Sequence, residues 1–391
     1  MNKITILFFT FSFTLFGMSY TKFKKHTLEH APLLKSQALL LEQKKEENKI
    51  RLRTENPTLG LELSKFNTDF EANRYGYAVS ASQKLRTQSY LEDLEDENQA
   101  QLLLSSTYVS NRRASYIKRL EKRYTAYVYQ YKRRILLKEE IKLSKTVTAM
   151  AKEHYENGSE SKVAYLEAKT ETLKLQIDIH AIKLLEEEIY YELLAMAGYT
   201  KNMILDKKFI YSVTLPKKTS VKLSNKEKIL LAQEKLMMRQ AKMNERMFES
   251  YELTLGIEKE PVESILKFGF SIPLPLNHEK EEEKSLARLK IQQLSLDKQY
   301  LKLELSSSKK TLKNSIKKLV SQHKSLQKLY KEQLKINTIL IKGYKIAQAS
   351  LFELMQEKSK LIQTKKSLLD VVKSINERKI ELRFLQGEYN D

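Results

Sequence analysis

Residues that break helices are scarce in this chain, and their placement constrains the fold more than any other feature. Glycine occurs nine times and proline six times in 391 residues. Neither falls between Gly76 and Gly158, nor between Pro275 and Gly343. Inside a helix a glycine costs about 1 kcal/mol relative to alanine and a proline about 3 kcal/mol. These intervals therefore read as unusually long helices. The first predicts a helix from about Gln88 to Glu156, roughly 100 Å at 1.5 Å per residue. A compact globular domain has no use for such an element, so it projects or spans something.

That helix runs into Tyr155-Glu156-Asn157-Gly158-Ser159-Glu160-Ser161. An Asn-Gly stop with a serine restart describes the tip of a helical hairpin. A second copy, Tyr344-Lys345-Ile346-Ala347-Gln348-Ala349-Ser350, keeps the tyrosine and the last serine at the same spacing. Each serine is followed 37 residues later by a glycine, Gly198 and then Gly387. Gly60 pairs with Gly256, Gly76 with Gly269, and more loosely Gly158 with Gly343. The chain reads as a duplication. A first repeat covers 20–198, a connector 199–224 and a second repeat 225–391, each built around one long hairpin.

Within the first repeat, a helix is predicted over about Thr27 to Thr54. The period then changes. Leu59, Leu61 and Leu63 alternate with polar neighbours, a turn follows over Asn67 to Asn73, and Tyr75, Tyr77, Val79 and Ala81 alternate again. This two-residue rhythm predicts a strand hairpin with one apolar face. The return helix, Ser161 to Ala197, carries Val163, Leu166, Leu173, Ile177, Leu184, Leu185, Leu193 and Leu194. The second repeat restates the order: a helix over Asn225 to Tyr251, then strands carrying Leu253, Leu255 and Ile257 and, after a turn at Glu258 to Ser264, Leu266 to Leu276. Its long helix is expected over Glu279 to Lys342. Leucines 305, 312, 319 and 326, and then Leu354, Leu361, Leu368, Ile375 and Leu382, recur every seven residues, the mark of helices supercoiled on neighbours. In each repeat the two shorter helices together match the long one in length, so they are expected to stack end to end along it.

Met1 to Ser19 reads as a secretory leader, with a lysine, a short apolar run and the small-x-small Gly17-Met18-Ser19, leaving Tyr20 as the first mature residue. Cysteine is absent and the formal net charge is +21. The lysines are spread along helices rather than gathered in one block, and the leader directs the chain away from nucleic acid. Four strands with one apolar face cannot close a membrane barrel, which needs at least about eight, and they leave two open edges. Three chains would supply twelve strands and close it.

The ordered set of duplicated features resembles the TolC-type outer-membrane efflux proteins, the outer membrane factors of tripartite pumps. The residues that carry the resemblance are Tyr155-x-x-Gly158-x-x-Ser161 leading to Ala164-Tyr165-Leu166-Glu167-Ala168, the repeat ends Gly198 and Gly387, and Phe268-Gly269-Phe270-Ser271-Ile272-Pro273-Leu274-Pro275-Leu276. The resemblance implies a mainly α chain whose hairpins form an α-barrel across the periplasm and whose four strands join a trimeric twelve-stranded barrel in outer-membrane lipid. It implies a homotrimeric exit duct that does no bond chemistry and serves an inner-membrane pump through a periplasmic adaptor protein. The tips Tyr155, Gly158, Ser161, Tyr344, Ala347 and Ser350 would meet that adaptor. The family's acidic gate falls on Glu353 and Gln356; the second position is not acidic here, and Glu357 is the nearest substitute.

No phosphate loop, nucleophile elbow or metalloprotease motif is present, so neither an enzyme nor a cofactor is expected. His26 and His30 lie four apart but without a third ligand nearby, so no metal site is expected. Met237, Met238, Met243 and Met247 are expected to fill core space. The competing reading is a periplasmic structural or adaptor coiled coil. It accounts for heptads and export but not for paired one-faced strands in both halves.

Overall fold

The computed structural model describes residues 17–68, 71–216, 222–274, 280–346 and 348–389. Most of the leader and Ala347 lie outside them. In chain order the elements are α1 (Tyr20–His30), α2 (Pro32–Leu52), β1 (Thr58–Thr68), β2 (Glu71–Arg86), α3 (Gln88–Glu156), α4 (Lys162–Ala197), α5 (Asn225–Asn244), β3 (Ser250–Lys259), β4 (Ser264–Ser271), α6 (Glu281–Lys345) and α7 (Leu351–Leu385). The duplication is plain: helix, strand pair, long helix, return helix, written twice.

The predicted end-to-end stacking is present. Near the sheet, α2 lies on the start of α3, where Asn48 Nδ2 donates to the Asn98 carbonyl at 3.0 Å and Arg51 meets Glu97 at 2.8 Å. Farther along, α4 takes the same side of α3, tied by Arg134 to Glu186 and by Thr148 to the Ala168 carbonyl. The two shorter helices meet at Gly198, which closes α4 with φ +72°. A Cβ there would stand 3.1 Å from the His30 carbonyl oxygen and 3.2 Å from Pro32 Cδ. Glycine is needed both for the left-handed turn and for this approach. Gly387 ends the second repeat identically, with φ +70° and Glu388 N–H donating to the Arg383 carbonyl.

Neighbour order across the layer follows from which helices touch. Near the sheet it is α2, α3, α5, α6; toward the tips it is α4, α3, α7, α6. The strands form one antiparallel sheet in the order β1-β2-β3-β4. One edge of the molecule thus carries β1, α2 and α4, and the other carries β4 and α6.

At mid-height, α1, the residues that follow α7 and the connector converge on α3. Glu121 is buried and accepts hydrogen bonds from Tyr20 (3.0 Å), Tyr211 (2.6 Å) and Tyr389. Burial, reinforced by the Glu121 charge, holds all three phenols well above their ordinary pKa. A buried carboxylate is tolerated only when its lone pairs are filled, and these tyrosines fill them.

Several boundaries differ from the sequence expectation. The single helix over 27–54 is two, beginning at Tyr20 and broken at Ala31, because a residue before proline avoids the helical region and Pro32 suits the first turn of a new helix. The helix expected to reach Tyr251 stops at Asn244, since Ser250 is already paired in β3. β1 and β2 extend into the turn expected at 67–73. β4 ends at Ser271, where Pro273 brings no N–H for a ladder, and the far end of the run expected to reach Leu276 lies outside the described residues. Gly343 is not the counterpart of Gly158: Gln348 N–H donates to the Gly343 carbonyl as Ser159 N–H donates to that of His154. Gly343 therefore matches His154, and Gly158 matches Ala347. Met238 and Met247 are exposed, so the core-filling role fails at those two.

Candidate functional site

The sheet sorts its side chains by face. Register places Leu59, Ala81, Leu255 and Phe268 in one cross-strand row, and Leu61, Val79, Ile257 and Leu266 in the next. The opposite face carries Gly60, Ser80, Gly256 and Lys267, then Glu62, Ala78, Glu258 and Ile265. Ser80 is flanked by glycines on both sides, and a Cβ at Gly60 would stand 2.7 Å from its Oγ. Lys267 pairs with Glu258 on this polar side. The apolar face is uncovered: Leu59, Leu61, Leu63, Tyr75, Tyr77, Leu255, Ile257, Leu266, Phe268 and Phe270 are all exposed. At about 1.5–3 kcal/mol per buried side chain, ten of them forgo on the order of 15–30 kcal/mol. That exceeds the roughly 5–15 kcal/mol by which whole domains are stable. Such a face requires an apolar surrounding.

The helical edges are uncovered in the same manner. On α4, Val163, Leu166, Leu173, Ile177 and Leu184 stand exposed at spacings of three, seven, four and seven, a heptad seam turned away from α3. On α6, Leu289, Leu296 and Leu303 recur every seven residues and are exposed too, as are Leu329 and Ile336 nearer the tip. The return-helix leucines noted in the sequence thus divide: Leu193 and Leu194 are core, Leu166, Leu173 and Leu184 lie on the seam, and Leu185 is exposed outside that spacing. Charge follows the edges. Between Lys309 and Lys345 there are eleven lysines and one glutamate, whereas α4 has seven carboxylates against four lysines.

At the tips, Gly158 takes φ +74° and Ser161 Oγ accepts from Ala164 N–H at 3.1 Å to start α4. Tyr155 is 37% exposed and stacks on Tyr165 of its own hairpin. Tyr344 is 1% exposed, with its ring 4.6 Å from that of His154 on the other hairpin. Burial pushes its phenol up to about 12. Val147, Ala151, Ala168, Leu351 and Leu354 surround it. Ala347 lies outside the described residues.

Ser350 and Glu353 form a capping box on α7. Glu353 N–H donates to Ser350 Oγ at 3.2 Å, and Ser350 N–H donates to Glu353 Oε2 at 2.9 Å. That N–H holds the exposed Glu353 carboxyl below the usual carboxylate range. Gln356 is exposed and lines an open groove of about 750 Å³ with Phe352, Glu160, Glu167 and Glu171. Glu357 is buried, 3.5 Å from Lys360 Nζ. The three residues expected at a gate therefore have different surroundings and share no one surface.

Sequence reasoning missed Lys358, 1% exposed, which reaches from α7 to Glu171 on α4 at 3.5 Å. Burial lowers its pKa. The signal was present: Leu351, Leu354, Lys358 and Leu361 fall at heptad spacing, so the lysine occupies a seam position. Lys365 to Glu139, and Tyr129 Oη to Asp370 at 2.6 Å, also join the two hairpins. His26 stacks on His30 and Tyr199 at 4.1 and 4.0 Å, and among the described residues no group of three or more candidate ligands could hold a metal.

This architecture is that of known outer-membrane channels. The chain aligns with the outer-membrane channel OprN at TM-score 0.81 and 9% identity, over 95% of this chain and 90% of that one. It aligns with the outer membrane protein VceC of Vibrio cholerae at TM-score 0.78 and 12% identity, covering 94% and 95%. The Campylobacter jejuni outer membrane channel CmeC gives TM-score 0.77 at 16% identity, covering 94% and 85%. No protein-family model matches the chain, and no curated protein matches it in sequence. At these identities the likeness establishes the fold.

Proposed function

We propose that the protein is an outer-membrane exit duct, a homotrimer whose strands close a barrel in lipid and whose helices continue it as a tunnel through the periplasm. The observation that carries this reading is the uncovered apolar face of the sheet, continued by apolar seams on both edges of the helical layer. The two edges are different surfaces, so contact between copies is head to tail and closes into a ring. β4 and the basic α6 of one copy meet β1 and the more acidic α4 of the next. Two copies would give eight strands, a barrel whose interior side chains fill it. Three give twelve and leave a lumen.

Conduction is passive in this reading. A periplasmic adaptor and an inner-membrane pump supply substrate and energy at the tips. Opening requires the hairpins to part where Tyr344, Lys358 and Lys365 now join them. The ring nearest the tip includes Glu353, which gives cation preference and block by divalent ions. The structural or adaptor coiled coil leaves the one-faced sheet without a role.

The test is recovery from outer-membrane fractions as a trimer that conducts in planar bilayers. A monomer or dimer soluble without detergent, with no conductance, would remove this function.

A further inference from the structure

The residues that a small-x-small leader end would discard are built into the fold. Met18 forms a parallel bridge with Leu205 of the connector. Its N–H donates to the Ile204 carbonyl at 2.7 Å, and its carbonyl accepts from Asp206 N–H at 2.9 Å. Its side chain packs against the cluster of Phe23, Tyr124, Leu193 and Leu205, with Sδ 4.0 Å from Tyr199 Oη. Ser19 is the N-cap of α1: its backbone is extended, and its carbonyl accepts from Phe23 N–H at 3.0 Å. Cutting after Ser19 would strip the connector of its only strand-like partner among the described residues and leave α1 without its first acceptor.

We propose that Met18 and Ser19 remain in the mature protein and that leader peptidase hydrolyses the Gly17–Met18 bond. The proposal rests on the export reading above. Hydrolysis places the hydroxyl of water on the Gly17 carboxyl, which leaves with the leader, and a proton on the Met18 amine. The resulting ammonium still donates to the Ile204 carbonyl, and both bonds of the bridge survive because both belong to Met18. Gly17 supplies the small residue directly before the cut, and the aliphatic Leu15 takes the outer position of the A-x-A pattern in place of a second small residue. Leu15 and Phe16 are too large to stand directly before the cut, and Ser19 is excluded by the contacts of Met18.

The experiment is N-terminal sequencing and intact mass of the protein from outer membranes, with two variants followed by the precursor-to-mature gel shift. A mature chain starting at Met18 is the expected result; a start at Tyr20 overturns the proposal, and a start before Met18 overturns the assigned bond. Ser19→Leu is expected to be processed as the unsubstituted chain is, because the Ser19 side chain makes no capping bond. Gly17→Leu is expected to accumulate as precursor. Accumulation of the Ser19→Leu precursor would place the cut after Ser19. A chain beginning at Met1 in the soluble fraction would overturn the export reading and this proposal with it.

Discussion

The two hairpin tips descend from one pattern, yet the structure uses them differently. In the first, Tyr155 sits half in solvent against its own hairpin, and the turn depends on Gly158 at φ +74°. In the second, Tyr344 is sunk between hairpins, and a capping box fixes the start of α7. The first tip is self-contained. The second is held by the first, through His154, Glu171 and Glu139. A duplicated element has thus become one part that stands and one part that is clamped.

The largest expected effect separates the tyrosines. Tyr344→Ala should cost about 3–5 kcal/mol by leaving a large cavity, while Tyr155→Ala should cost less than about 1 kcal/mol as a surface change, both read by denaturant unfolding. Equal losses would abolish the asymmetry. Tyr344→Phe should be nearly neutral, since the phenol has no hydrogen-bond partner. Next comes Lys358. Replacing a buried charge with an apolar chain of similar length is often neutral or stabilising by about 1–4 kcal/mol, so Lys358→Met should hold or raise stability. Its folded pKa is depressed by burial. The unfolded chain therefore binds the proton more tightly, and stability should rise with pH from the folded pKa up to about 10.4. That rise should shrink in Lys358→Met; an unchanged slope would place its origin elsewhere.

These contrasts also mark what could be read from the sequence. Helix lengths, the strand faces and the duplication were legible because each is a local periodicity broken at few glycines and prolines. The break at Ala31 was legible too, from Pro32, although the expected helix was carried straight through it. Which leucines face a neighbour could not be read, since Leu173 and Leu193 look alike until α3 is seen beneath one of them. The site was less legible than the fold. Glu353 and Glu357 are both acids on one helix, and only tertiary packing turns one to solvent and buries the other. The Glu121 cluster joins residues from Tyr20 to Tyr389, a separation that no local pattern spans.

A smaller effect is expected at Gly158. Alanine there must hold a left-handed backbone, costing roughly 1–2 kcal/mol, with open space around the new methyl. Gly158→Asn should recover most of the loss, because asparagine tolerates that region. If both variants unfold as the unsubstituted protein does, the first tip does not depend on its glycine.

The smallest stability change, and the most direct probe of the clamped tip, belongs to Glu353. Its carboxyl is exposed, and its depressed pKa comes from the Ser350 N–H it accepts. Its contribution is therefore present above the unfolded pKa of about 4.3 and lost as pH falls through the folded value. Glu353→Gln keeps the box partner and removes the charge, so α7 should stay capped while any electrostatic role disappears. Conductance should rise, or block by divalent cations weaken, in both Glu353→Gln and Glu353→Ala, with only the alanine variant losing thermal stability. If the glutamine variant conducts and is blocked as before, the carboxylate serves the helix start alone, and cation preference must come from Glu160, Glu167 and Glu171 across the groove.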